Sequence, residues 1–398
     1  MLMIYPFTLY SHVQDGPLQI CAQVIFFTSL AAILYTFLVY PLLLGVIASF
    51  RPSRCPSPVY QPTISILICA YNEAAGIAQK LDQTLGLDYP KDRVEIVVVS
   101  DGSTDETENI VKTYETRNVR LLRTTQRLGK TNAQNEAVTS CVGEVIIFSD
   151  ATTVYHSQAL NKIAAHYADP RVGAVSGRYQ YFDESGLSPT GAGSIFFWNF
   201  ENFIKISQSR IATISGCCGC IYSIRRTAYT VLSPDIISDL VQPLYVIKQG
   251  LLVLFEPEAM AYETTTVSSR QELKMRIRVI TRAIRGLQSV PDLLNPIKRP
   301  WIALQLVSHK VLRWLVPLYI SGIFLSTATL IAHPAMGVLF LLQLCFYGLA
   351  LVSLILPLHC RNKFLGLPLY ICTMNTAALL AIIQSARGKQ YVTWETVR

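Results

Sequence analysis

The sequence predicts an α/β domain on a mostly parallel sheet, bracketed by membrane-spanning helices, and three observations carry that prediction. Only 15% of the 398 residues are charged while 51% are hydrophobic, against about 25% charged in an ordinary soluble domain. The deficit is gathered into gaps: no Asp, Glu, Lys or Arg lies between Asp15 and Arg51, between Arg313 and Arg361, or between Lys363 and Arg387. Between the first two gaps, apolar runs of strand length alternate with helical patterns and turn residues, as in a sheet covered by helices.

Crossing hydrocarbon takes about 20 apolar residues. The first gap holds one span, near 20–46. No basic segment precedes it and no Ala-x-Ala site follows, so it reads as a retained anchor and not as a signal peptide. The second gap holds spans near 314–332 and 335–357, parted by His333-Pro334, and the third a weaker candidate near 365–385. The chain thus divides into an anchor over 1–50, an α/β domain over 51–290, and an interfacial segment with further spans over 291–398. Arg51 and Arg54 follow the anchor, while Asp15 is the one charge before it. The positive-inside rule then places the α/β domain on the cytoplasmic face of an inner membrane. Three downstream spans would put Arg387, Lys389 and Arg398 outside, against the positive-inside rule, which leaves 365–385 open between a third span and an interfacial or re-entrant segment.

Within the domain, Ile64–Cys69 reads as a strand, with Asn72 capping a helix from Glu73 towards Leu85. Val94–Val99 is the next strand, and Ser103-Thr104-Asp105-Glu106 forms a capping box for a helix through Tyr114. Val119–Leu122 is a strand, Asn132–Ser140 a helix, and Val145–Phe148 a strand leading to Asp150. After a strand at Val172–Ser176 the pattern loosens into Gly- and aromatic-rich sequence up to Phe200. Gly250–Phe255 reads as a strand. Over 271–287 a helix carries Leu273, Ile277, Ile280, Ile284 and Leu287 on one face, and Lys274, Arg278, Arg282 and Arg285 on the other. Such a basic amphipathic helix belongs at a membrane interface.

The net charge of +8 clusters beside the spans, at Arg51/Arg54, Lys274–Arg285 and Lys298–Arg313. Anionic lipid headgroups, and not nucleic acid, are the partners this implies. The ten cysteines read as free thiols in a reducing compartment, since Cys217, Cys218 and Cys220 are too close for ordinary bridges and no second pair completes a zinc site. No charged residue lies within the spans, which disfavours a transporter.

In parallel sheets ligands bind beyond the carboxyl ends of the strands, where Tyr71-Asn72-Glu73, Asp101 and Asp150 fall. Taken in order, Ile68-Cys69-Ala70-Tyr71-Asn72-Glu73, Val99-Ser100-Asp101-Gly102-Ser103, Leu128-Gly129-Lys130-Thr131-Asn132, Phe148-Ser149-Asp150-Ala151-Thr152 and Ser238-Asp239 resemble family 2 glycosyltransferases of the GT-A fold, the group of cellulose, chitin and hyaluronan synthases. The resemblance covers roughly 62–290.

It implies a division of labour. Asp101 helps hold the nucleotide's base, with Ala70, Tyr71 and Glu73 in the nucleotide-contacting loop and Lys130 near the donor. Asp150 meets a divalent cation, Mg2+ or Mn2+, or the diphosphate. The family's Asp-x-Asp has Thr152 at its third position here, so the cation would rely on Asp150, Thr152 and substrate phosphates. Asp239 is the general base that activates an acceptor hydroxyl, with Asp235 the competing choice. Arg282 and Arg285 match the Gln and Arg of the family's Gln-x-x-Arg-Trp, Arg285 facing the departing diphosphate; Gly286 stands where the family has Trp. Trp198, Glu201, Gly216 and Cys217 are acceptor-side candidates. Taken singly, Asp101 also reads as a turn former, Lys130 as a solvated lysine, Asp239 as a helix cap and the two arginines as lipid-facing cations.

The expected function is inverting transfer from a nucleotide sugar, UDP-linked, to a lipid-linked or cell-surface polysaccharide acceptor. A processive synthase is the first alternative, weakened by few spans and by Gly286. A silent membrane scaffold is the second, opposed by the joint presence of Asp101, Asp150, Asp239 and Arg285. Oligomeric state leaves no mark in the sequence.

Overall fold

Every residue of Ile64–Ala70 (β1) is buried, and a strand apolar on both faces must lie inside a sheet covered on both sides. In the computed structural model, which describes residues 16–52, 57, 60–182, 189–264, 269–356 and 363–393, β1 runs parallel to Val94–Ser100 (β2), which pairs with Val119–Arg123 (β3). On its other edge β1 runs parallel to Val145–Asp150 (β4). Val154–Tyr155 (β5), Val172–Phe182 (β6), Ile221–Arg225 (β7) and Leu252–Thr264 (β8) extend the sheet. Its order is β3-β2-β1-β4-β7-β6-β8-β5. The first four strands are parallel as expected; beyond β4 the sheet is mixed, since β4–β7, β6–β7 and β5–β8 are antiparallel.

Alternation sends Ile64, Ile66, Ile68, Ile96 and Val98 into one core and Leu67, Cys69, Val97, Val99 and Phe148 into the other. The eight cysteines among the described residues are all free.

The helices are α1 (Pro17–Ser49, with a π-turn at Tyr35–Val39), α2 (Ile77–Leu85), α3 (Thr107–Lys112), α4 (Lys130–Val138), α5 (Ala159–Ala164), α6 (Pro189–Ile211), α7 (Ser238–Lys248), α8 (Ser269–Gln288), α9 (Pro300–Trp314), α10 (Val316–Thr329), α11 (Pro334–Ile355) and α12 (Lys363–Ala386). Several boundaries differ from expectation, each for a local reason. Asn72 caps no helix at Glu73: it adopts φ 54°, its Oδ1 accepts from Thr104 N at 2.8 Å, and α2 starts at Ile77. Ser103 Oγ is engaged by Asn72 N at 3.2 Å, and no capping box forms: the N-cap of α3 is Glu106, without a side-chain cap, and the preceding Asp105 accepts from Thr107 N at 3.0 Å. That helix stops at Lys112. Strand β8 starts at Leu252 and continues past Phe255 to Thr264.

The largest departure lies in the Gly- and aromatic-rich stretch. Strand β6 runs on to Phe182, and α6 is a 23-residue helix. Its buried face is polar, with Glu201, Asn202, Lys205, Ser207 and Gln208 all under 6% exposed, so no apolar periodicity announced it.

Among the described residues, three helices are long and apolar enough to cross a membrane, within Pro17–Ser49, Pro334–Ile355 and Leu365–Ala386. The expected 314–332 span is the bent pair α9 and α10, whose axes differ by 53° beside Pro317, which removes a ladder donor. The apolar faces of α1 and α11 are open, with Leu42, Leu341 and Leu351 each more than half exposed, far beyond what a soluble surface presents. The anchor is tied to the domain: Tyr40 and Leu44 pack on Ile204 of α6, and Gln208 Nε2 donates to Tyr40 OH at 3.0 Å. Helix α12 packs along α6 and α8, and the chain beyond it brings Val392 against Gly129 of the α/β domain. Asp15, Arg54 and Arg398, three of the charges used for orientation, lie outside the described residues.

Candidate active site

Asp101 follows β2 directly, and its N–H donates to Ala70 O at 3.0 Å. The carboxylate is fully buried and accepts from Gly129 N at 3.0 Å and Leu128 N at 3.2 Å. Burial raises its pKa above the ordinary carboxylate value, opposed by those backbone bonds and by Thr124. Asp101 therefore shapes the loop that leads into α4. Gly129 is required there: its φ is +87°, and a Cβ would sit 2.0 Å from the Val392 carbonyl oxygen. Across the same strand ends, Arg127 stacks on the Tyr71 ring at 3.7 Å. Glu73 N is held by Thr107 Oγ1 at 2.8 Å and Ala74 N by Asp105 Oδ2 at 3.1 Å. Ala70 closes β1, fully buried.

Lys130 opens α4 and its Nζ forms an ion pair with Asp150 at the end of β4 while donating to Gly219 O at 3.1 Å. Burial works against its charge, but Asp150 and further anionic neighbours outweigh that and raise its pKa. Thr152 Oγ1 donates to Glu263 Oε1 at 2.7 Å, so the residue expected beside Asp150 is itself partnered by β8.

Asp239 lies in the first turn of α7. Its Oδ1 is buried with no hydrogen-bond partner among the described residues. Burial raises its pKa; Lys130 and Lys205 oppose this and Asp150 adds to it. Gly219 joins the three groups: its carbonyl accepts from Lys130, which pairs with Asp150, and a Cβ on it would lie 2.6 Å from Asp239 Oδ2.

Arg282 is 8% exposed, and its Nη2 donates to Ile236 O at 2.6 Å, Pro234 O at 3.0 Å and Thr131 Oγ1 at 2.9 Å. Burial and then Arg278 lower its pKa to about 10, against Asp239 and Asp235. Arg285 forms an ion pair with Asp235. Both arginines thus grip the loop before α7 that presents Asp239. Gly286 has a packing reason: a Cβ would come within 2.4 Å of Val241 Cγ2, so α8 crosses α7 too closely for any larger residue.

The acceptor-side candidates separate. Cys217 N donates to Asp239 O at 2.9 Å, and Gly216 abuts Leu240, so both lie next to Asp239. Trp198 packs edge-on to Tyr179 with centroids 4.7 Å apart. Glu201 is buried and taken up by Arg313 and His309 of α9, a tie between α6 and the apolar helices. Sequence reasoning missed Glu263, Tyr179 and Lys205. No local signal marks them, because each acts on residues distant in the chain.

A parallel half-sheet with acidic groups beyond its carboxyl ends, faced by a further carboxylate from the mixed half, defines the class: a GT-A glycosyltransferase, which uses a nucleotide-sugar donor. Residues 65–232 match the family model described as glycosyl transferase family 2. An N-acetylglucosaminyltransferase of Rhizobium meliloti is 24% identical over 329 residues, covering 78% of this chain and 75% of that protein. A poly-beta-1,6-N-acetyl-D-glucosamine synthase of Staphylococcus epidermidis is 31% identical over 158 residues, 38% of each chain. In fold, a mannosyltransferase from Pyrobaculum calidifontis, solved with GDP-Man and Mn2+, superimposes with a TM-score of 0.72 at 21% identity, over 94% of this chain and 99% of that one.

Proposed function

We propose that the enzyme transfers a sugar, with inversion, from a UDP-linked donor to a lipid-linked or cell-surface glycan acceptor at the cytoplasmic face of the inner membrane. The observation that carries this is the meeting of Lys130, Asp150 and Asp239 at the carboxyl end of β4, next to a loop held by Asp101.

Each side chain has a task suited to its surroundings. Asp101 and the Tyr71–Arg127 stack hold the loops that receive the nucleotide. Lys130 supplies fixed positive charge where the leaving diphosphate gathers negative charge. Asp239, with one oxygen unpartnered among the described residues and its pKa raised, takes the proton of the acceptor hydroxyl. Arg282 and Arg285 act through the 234–238 loop, keeping that carboxylate aimed. The donor set suits a hard divalent cation, Mg2+ or Mn2+: a carboxylate oxygen of Asp150 together with substrate phosphates, at a spot where the Lys130 ammonium already sits. When bound, such an ion would neutralise diphosphate charge.

A single-transfer enzyme is favoured over a processive one, because the crowding of Gly286 on Val241 leaves no room for an aromatic platform there. Membrane lipids are the remaining partner, met by the open faces of α1 and α11. The test is release of the nucleoside diphosphate, UDP or GDP according to the donor, by full-length protein in lipid nanodiscs given a panel of UDP-sugars and GDP-mannose. Asp239→Asn should abolish release while UDP binding stays within about threefold, a change well under one tenfold step of 1.4 kcal/mol. Full transfer by that variant would reject the base.

A further inference from the structure

The family's Asp-x-Asp pattern supplies two carboxylates from one loop, and this chain has Thr152 where the second would be. The tertiary structure returns a carboxylate to that place from elsewhere. Strand β5 pairs antiparallel with β8, Val154 opposite Tyr262 and Tyr155 opposite Ala261. This short ladder pins the Asp150–Thr153 turn beside Glu263, 111 residues further on from Thr152. Both carboxylate oxygens are then fixed: Oε1 accepts from Thr152 Oγ1 at 2.7 Å and Oε2 from Tyr179 OH at 2.7 Å. Asp150 and Lys130 are its charged neighbours on the cleft side. Behind the turn, the buried Lys80 donates to Thr153 O at 2.6 Å and stiffens it from below.

Two carboxylates facing one cleft repel each other, and a cation between them repays the cost. Lys130 pairs directly with Asp150 and reaches Glu263 only through space. A divalent ion carrying a nucleoside diphosphate would serve both.

We propose that Glu263 is the second carboxylate of the divalent-cation site begun by Asp150, filling from β8 the role that position 152 lacks. The inference rests on the reading that this cleft takes a metal–nucleotide complex. If Glu263 only orders the turn through Thr152 and Tyr179, a glutamine of the same shape would keep both contacts, its oxygen accepting from one hydroxyl and its amide N–H donating to the other hydroxyl oxygen.

The experiment is a Mn2+ titration followed by electron paramagnetic resonance, on full-length protein in nanodiscs with saturating UDP. Asp150→Asn and Glu263→Gln should each weaken Mn2+ binding by about tenfold or more, since even groups that only support metal ligands cost about 10–100-fold when lost. Adding Thr152→Asp to Glu263→Gln should restore most of that loss, because it returns the carboxylate through the loop. If Glu263→Gln binds Mn2+ within about twofold of wild type while Asp150→Asn does not, the role of Glu263 is overturned and the metal reading stands. The role is also overturned if Thr152→Asp fails to rescue a folded Glu263→Gln protein. If neither single variant changes Mn2+ affinity, the metal reading fails and Glu263 with it.

Discussion

Replacing Gly219 by alanine offers a sharp trial of the proposed base, because one methyl group would touch it without removing it. The new Cβ would lie 2.6 Å from Asp239 Oδ2 and 3.2 Å from its Cγ, where ordinary contact begins near 3.4 Å. The carboxylate must therefore withdraw by about 0.8 Å, close to the ~1 Å misplacement that can cost ~100-fold in rate. Gly219 is not among the glycines with positive φ, so no backbone strain is added. The group that has to yield is a side-chain end, so the fold should survive with a melting temperature close to wild type. The expected result is kcat lower by about 100-fold, equal to about 2.7 kcal/mol of barrier, with UDP affinity nearly unchanged. Steady-state UDP release at saturating donor and acceptor, set beside calorimetric UDP binding, measures both. A kcat within twofold of wild type would refute the placement of Asp239 at the reacting hydroxyl.

Two further predictions concern charge. Asp239 must be ionised to accept a proton, and burial raises its pKa while Lys130 holds it down; Lys130→Met should therefore move the acid limb of the kcat–pH profile to higher pH, and an unmoved limb would separate the two residues. Arg313→Met leaves His309 as the direct partner of the buried Glu201 carboxylate among the described residues; removing one partner of such a pair costs about 3–5 kcal/mol, so the thermal unfolding temperature in nanodiscs should fall clearly while UDP affinity of the folded fraction holds.

Much of the fold was open to reading from local pattern. Ile64–Ala70, Val94–Ser100 and Val145–Asp150 are rich in β-branched and apolar residues, so their strand character is written into every short window, and Asp101 and Asp150 stand out where those windows end. The apolar helices were equally plain, because hydrocarbon demands an uncharged run. What local pattern could not reveal was any element whose partners are remote. Helix α6 hides behind glycines and a polar buried face, which makes sense only once Arg313, His309 and Tyr40 are in place around it. Arg282 and Arg285 read as donor-facing or lipid-facing cations until the 234–238 loop folds back beneath them.

The sequence by itself determined the class of fold, the family and the chemical types gathered at the strand ends. Tertiary structure alone decided which of those groups meet: Lys130 on Asp150, Gly219 under Asp239, Glu263 against Thr152. The physical reason is range. Hydrophobic periodicity is a property of neighbours along the chain, whereas a buried polar group takes its partner from whatever strand or helix the completed fold brings within about 3 Å.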